Sequence, residues 1–125
     1  MKKIFLLALI ALTGCAYHNP FDKAGFRNQI LNTPPYVLSA FYRINKPGEP
    51  LTIYVEKEYM DAEQSTAATE DKSANVAYLS RPCQYLETDI CAQKQDPKKQ
   101  QKAIQKGIKQ LQKKADADQV IVKGF

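Results

Sequence analysis

A single histidine, His18, is all the imidazole in these 125 residues, and it stands far along the chain from Cys83 and Cys91. Zinc prefers four ligands, so the set falls short of a metal site. A close Cys-x-x-Cys pair with a lowered thiol pKa, as redox catalysis needs, is also missing. No apolar run approaches the roughly 20 residues that cross a bilayer. The longest, Ile4 to Leu12, has about nine. No internal repeat is present, and compositional bias is confined to the Lys/Gln-rich stretch after residue 96. Neither a metal nor another cofactor is therefore expected.

What is present begins at the start of the chain: Lys2 and Lys3, the apolar run, then Leu12-Thr13-Gly14-Cys15. A charged start followed by a short apolar segment is the layout of a secretory signal. The segment resembles a bacterial lipoprotein signal peptide ending in a lipobox. That resemblance implies cleavage after residue 14 by signal peptidase II and acylation of Cys15, which becomes the first residue of the mature chain. Ala16, rather than an aspartate, favours sorting to the periplasmic face of the outer membrane by the enterobacterial rule.

Location settles the cysteine arithmetic. Of three cysteines, lipidation claims Cys15 and leaves Cys83 and Cys91 to pair in an oxidising compartment. Closing so short a loop contributes roughly 2.5 kcal/mol on the chain-entropy model.

Residues 15–125 suffice for one small domain with one core. Removing Lys2 and Lys3 from the 18 basic residues leaves 16 against 13 acidic ones. The surplus is local. From Lys94 to Lys114 there are eight lysines and one acid, Asp96. Lys98, Lys99, Lys102, Lys106, Lys109 and Lys113 are the candidates for contact with an anionic surface, lipid or envelope polymer rather than nucleic acid. The plainer alternative is a solvated helix face.

Residues 16–35 read as an irregular tether, broken at Asn19-Pro20 and Thr33-Pro34-Pro35, with a short helix around Lys23 to Leu31. From Tyr36 to Ile44 aromatic and branched residues predict a strand. Asn45 to Pro50 is turn-forming. In Leu51 to Glu56, Leu51, Ile53 and Val55 alternate with Thr52, Tyr54 and Glu56, the period of a strand. A weak helix is expected over 63–70, and Asn75 to Leu79 reads as a strand covered on both faces. Asp96-Pro97 opens the clearest helix, with a capping aspartate and proline at its first position. Ile104, Ile108, Leu111 and Ala115 place one apolar stripe on its core side. Asp116 to Asp118 ends it, and Gln119 to Val122 reads as a further buried strand. Strand, helix, strand implies a parallel, right-handed crossover, hence an α/β class with about four strands.

Val76 to Tyr85, with Arg81-Pro-Cys-Gln-Tyr85 as its most specific part and Cys91 following, resembles a segment of a family of bacterial α/β-hydrolase-like lipoproteins. The resemblance covers roughly Tyr36 to Phe125. It implies that Leu51 to Glu56 is the strand leading into a glycine-bearing oxyanion loop, and that Val120 to Phe125 feeds the nucleophile elbow. The elbow pattern is G-x-S-x-G. Gly124 and Phe125 match its first two positions, and the serine would come next. On this reading residues 36–125 are the N-terminal part of such a fold, truncated before its elbow; an ordinary C-terminus is the alternative. Glu56-Lys57-Glu58-Tyr59 replaces small glycines where backbone N–H groups would approach an oxyanion. Ser39, Ser65, Ser73 and Ser80 lie in no elbow motif.

Three functions follow as expectations. The first is a lipid-anchored, non-catalytic or truncated member of that family. The second is a small envelope interaction lipoprotein using its lysine-rich helix. The third is an esterase only if another chain completes it. The partners expected are the membrane, through the acylated N-terminus, and a protein or second copy at the C-terminal edge strand.

Overall fold

The computed structural model describes residues 20–57, 61–83, 91 and 96–124. Leu12 to Cys15, His18, Glu58 and Tyr59, Gln84 and Tyr85, Lys94 and Phe125 lie outside the described residues. The elements are α1 (Pro20–Lys23), β1 (Arg27–Thr33), β2 (Tyr36–Ile44), β3 (Leu51–Val55), α2 (Ala62–Glu70), β4 (Asn75–Leu79), α3 (Pro97–Ala115) and β5 (Val120–Lys123).

The first correction concerns the tether. From Pro20 onward the chain belongs to the fold, and the expected helix over 23–31 is instead a short turn of helix followed by β1. Thr33 pairs with Tyr36, so Pro34 and Pro35 form a two-residue hairpin connection. Thr33 Oγ1 donates to the Tyr36 carbonyl at 3.0 Å and closes it. Only Leu31 and Thr33 of β1 are buried. An edge strand tolerates polar residues on both faces, which is why Arg27-Asn-Gln29 carries no strand period.

Five strands, rather than about four, form one sheet in the order β1-β2-β4-β3-β5. β2 runs antiparallel to β1 and β4, whereas β4, β3 and β5 are mutually parallel. The class is therefore α/β with a mixed sheet. From β3 the chain moves to β4 through α2, then returns past β3 to β5 through α3. The two crossovers travel in opposite directions with their helices on opposite faces. They therefore share one hand, as the chirality of such units requires.

Alternation along the strands builds a core on each face. Leu38, Ala40, Ile53, Val55, Ala77 and Leu79 pack with Ile104, Leu111 and Ala115 of α3. On the other face Phe41, Tyr54, Val76 and Tyr78 pack with Phe21, Phe26 and Ala68. Phe21 and Phe41 stack there with centroids 4.2 Å apart. All five residues of β4 are buried, since helices cover it on both sides.

Helix α3 starts where Asp96 accepts the Lys98 amide at 2.9 Å, with Pro97 at the first position. It stops at Asp116, which adopts a left-handed conformation. At Gly107 a Cβ would stand 3.2 Å from Leu38 Cδ1 and Leu79 Cδ2, so the missing side chain lets the helix approach the sheet.

β5 is expected both as a buried strand and, at the C-terminal end of the sheet, as an edge strand; the second holds and the first is corrected. It lies at the edge, with Ile121 45% and Val122 38% exposed. Helix α3 lies mainly across β1, β2 and β4; Val120 still packs against the core on its side, while Val122 further along the same face is left partly uncovered.

Candidate functional site

The carboxyl ends of the three parallel strands meet at one end of the sheet. In open α/β sheets this end binds ligands, where connections from neighbouring strands leave toward opposite faces. β3 and β4 are such a pair, since one feeds α2 and the other α3. A crevice of about 220 Å³ lies there, lined by Glu56, Arg81, Gly124 and the first turns of α3 at Pro97, Gln100 and Gln101.

Glu56 is the most constrained group in it, at 1% exposure. Its Oε2 accepts the Tyr78 hydroxyl at 2.7 Å, and its Oε1 accepts the Arg81 amide at 3.3 Å. Burial raises its pKa above the ordinary carboxylate value; the Tyr78 and Arg81 hydrogen bonds oppose the shift, and Asp61 adds to it. The Arg81 guanidinium donates to the Lys57 carbonyl at 2.7 Å. The site is a buried carboxyl that accepts two hydrogen bonds, with Arg81 beside it.

The surrounding loop is tightly committed. The Glu56 amide donates to the Leu79 carbonyl at 3.0 Å, and the Lys57 amide to Asp61 Oδ2 at 3.0 Å. Asp61 Oδ1 accepts from Gln64 and caps α2. Gln64 Nε2 donates to the carbonyls of Val55 and Lys123, tying the ends of β3 and β5 together. Gly124 follows at φ 86°, where a Cβ would collide with Gln64 Nε2 and the Val55 carbonyl. Only glycine fits that corner.

On the α2 face, the Tyr54 hydroxyl donates to Asp71 Oδ2 at 2.6 Å. Burial and this carboxylate push the Tyr54 pKa up to about 12. Burial opposes ionisation of Asp71 too, but hydrogen bonds from Ser73 and Tyr54 hold its carboxyl below the usual range, helped by Lys123.

The residues singled out by sequence are dispersed. Cys83 and Cys91 form a disulfide with Cα atoms 5.7 Å apart. Lys98, Lys99, Lys102, Lys106, Lys109 and Lys113 are all exposed on α3. At 3.6 residues per turn they occupy an arc of about 100°, opposite the buried stripe and about 22 Å long. Of the serines, Ser39 and Ser80 are joined, the Ser39 amide donating to Ser80 Oγ and the Ser80 amide to the Ser39 carbonyl, and Ser39 Oγ accepts from Asn28; Ser65 sits apart on α2 and Ser73 in the loop after it. Among the described residues no His/Cys/Asp/Glu group could hold a metal ion, and no helix is long and apolar enough to cross a membrane.

Sequence reasoning took Glu56 only as an obstacle to an oxyanion and missed its buried partnership with Tyr78. A carboxylate one residue beyond an apolar strand is the signal for a polar group at a strand end. Comparison of the chain with protein-family models, curated proteins and solved structures finds no match.

Proposed function

We propose that this is a lipid-anchored protein of the bacterial envelope, held by acylated Cys15 at the periplasmic face of the outer membrane. Its domain corresponds to the N-terminal part of an α/β-hydrolase-like sheet and performs no ester hydrolysis of its own. The observation that carries the reading is the adjacency of β3 and β5. In that fold the elbow serine works beside an amide from the loop after the third strand. Gly124, left-handed and packed against the Val55 carbonyl, stands at the corresponding corner. The mixed sheet with helices on both faces agrees with the same reading.

The corner is nevertheless unsuited to stabilising an oxyanion. Glu56 and Lys57 have spent their amides on Leu79 and Asp61. Glu56 also places a carboxyl where negative charge would develop, and a single lost donor at such a site costs about 3 kcal/mol of transition-state stabilisation. The purified mature chain is expected to leave p-nitrophenyl butyrate at its background rate. Hydrolysis abolished by replacing one of Ser39, Ser65, Ser73 or Ser80 would overturn the reading.

A second reading is an interaction lipoprotein. The six-lysine arc on α3 favours it, because a continuous cationic stripe suits an anionic lipid surface or polymer. The exposed Ile121 and Val122 on edge strand β5 offer a protein partner or second copy a place to pair.

A further inference from the structure

A groove of about 540 Å³ opens at the other end of the sheet, between the start of β1, the end of β2 and the last turn of α3. Arg27, Arg43 and Lys114 converge on it together with Asn45, and no acidic residue lines it. We propose that this groove binds a phosphate-bearing ligand.

The topology makes the notch. β1 begins at Arg27, opposite Tyr42, so the last two residues of β2 run on without a β1 partner. Arg43 and Lys114 reach the notch from opposite faces of the sheet. Arg43 belongs to the face of Phe26, whose ring lies 4.9 Å from its guanidinium carbon. Lys114 lies on the α3 face, 4.7 Å from the Tyr42 ring.

Their charges are not neutralised locally. Arg43 donates to the carbonyls of Ala24, Asp71 and Ser73, all uncharged, and its Nε is buried with no partner. The nearby Asp71 carboxylate is already engaged by Tyr54 and Ser73. Among the described residues neither Arg27 nor Lys114 has a carboxylate partner. Three cations exceed what one carboxylate needs. They suit a phosphate group, which carries about −1.5 to −2 charges as a monoester and offers several acceptor oxygens to the Arg27 guanidinium and the Lys114 ammonium, with Arg43 contributing its charge.

The groove also begins close along the chain to the proposed anchor. Ala24 donates to the Pro20 carbonyl, so the Gly25 corner is one helical turn from Pro20. Pro20 follows Cys15 by five positions, a reach of at most ~18 Å. A lipid headgroup and a free phosphate ester share the chemistry that would fill the groove. Placement beside the bilayer rests on the acylated Cys15 proposed above.

The test uses the whole mature chain made soluble by Cys15→Ser, titrated with sn-glycerol 3-phosphate and followed by amide NMR shifts. Saturable shifts are expected at Gly25, Arg27 and Asn45. The double variant Arg27→Ala/Lys114→Ala should weaken binding about tenfold or more, equivalent to ~1.4 kcal/mol. Arg43 is spared because it holds three carbonyls, and unchanged amide dispersion verifies the fold. Lys102→Ala/Lys109→Ala, on the helix arc, should bind as the parent does. Absence of saturable shifts in the groove, or equal affinity in the groove variant, overturns the proposal.

Pelleting with phosphatidylglycerol vesicles assigns the source. Loss in the groove variant points to a headgroup, and retention there alongside lost glycerol phosphate binding points to a free ester. Should Cys15 prove unacylated, the bilayer placement falls while the glycerol phosphate titration still decides the groove.

Discussion

Asn75 shows how one side chain can organise a turn. It is fully buried, its Nδ2 donates to the carbonyls of Lys46 and Glu49, and its Oδ1 accepts the Lys46 amide at 3.0 Å. Removing it leaves the Lys46 amide and the Glu49 carbonyl without their partner near the β2–β3 connection, each worth about 1 kcal/mol or more, while the Lys46 carbonyl keeps the Glu49 amide. Asn75→Ala is expected to cost about 2–4 kcal/mol in urea denaturation, whereas Asn45→Ala, at an exposed position, should cost less than about 0.5 kcal/mol. Glu56 acts in the opposite direction. Its pKa is raised in the folded state, chiefly by burial, so its contribution is fully present below the unfolded value near 4.5 and is lost as pH rises through the folded pKa. Parent stability relative to Glu56→Gln should therefore decline from pH 4.5 upward and level off above the folded pKa. Thermal melts across pH 4 to 9 measure this, and a difference independent of pH would contradict it.

Elements differed in how legible they were. Helix α3 could be read whole because its cap, its proline and its apolar spacing all agree with the observed element. β3 and β4 were legible from alternation and from continuous apolarity. β1 was not, since only two of its residues meet the core and the remainder obey no period. β5 was legible as an edge strand but not in its exposure. Val120-Ile-Val122 has the composition of a core strand, but burial depends on what covers it, and α3 passes mainly over other strands. Apolar spacing also could not reveal that Gly107 sits at the helix-sheet contact. Replacing it by valine forces branched methyls toward Leu38 and Leu79, already 3.2 Å from a single Cβ. Gly107→Val is expected to lower stability by about 1–3 kcal/mol, more than any gain in helix propensity returns. Urea denaturation would refute this by finding the variant as stable as the parent.

On the scale of the whole molecule, chemistry gathers at two ends of one sheet. Glu56 and Arg81 lie at the carboxyl ends of the parallel strands, and the cationic groove lies at the opposite end of the sheet. The pairing of Cys83 with Cys91 fits an oxidising compartment. Neither end of the sheet was legible as a site, because Arg27, Arg43 and Lys114 are distant in sequence: the hairpin brings the two arginines together, and the packing of α3 on the sheet adds Lys114. The central claim is the lipid anchor, and the most direct measurement is radioactive palmitate labelling in a bacterial host, with membranes separated from soluble protein. The account predicts a labelled chain in the membrane fraction and loss of both label and membrane association in Cys15→Ala. An unlabelled parent chain, or label retained by the variant, would contradict it.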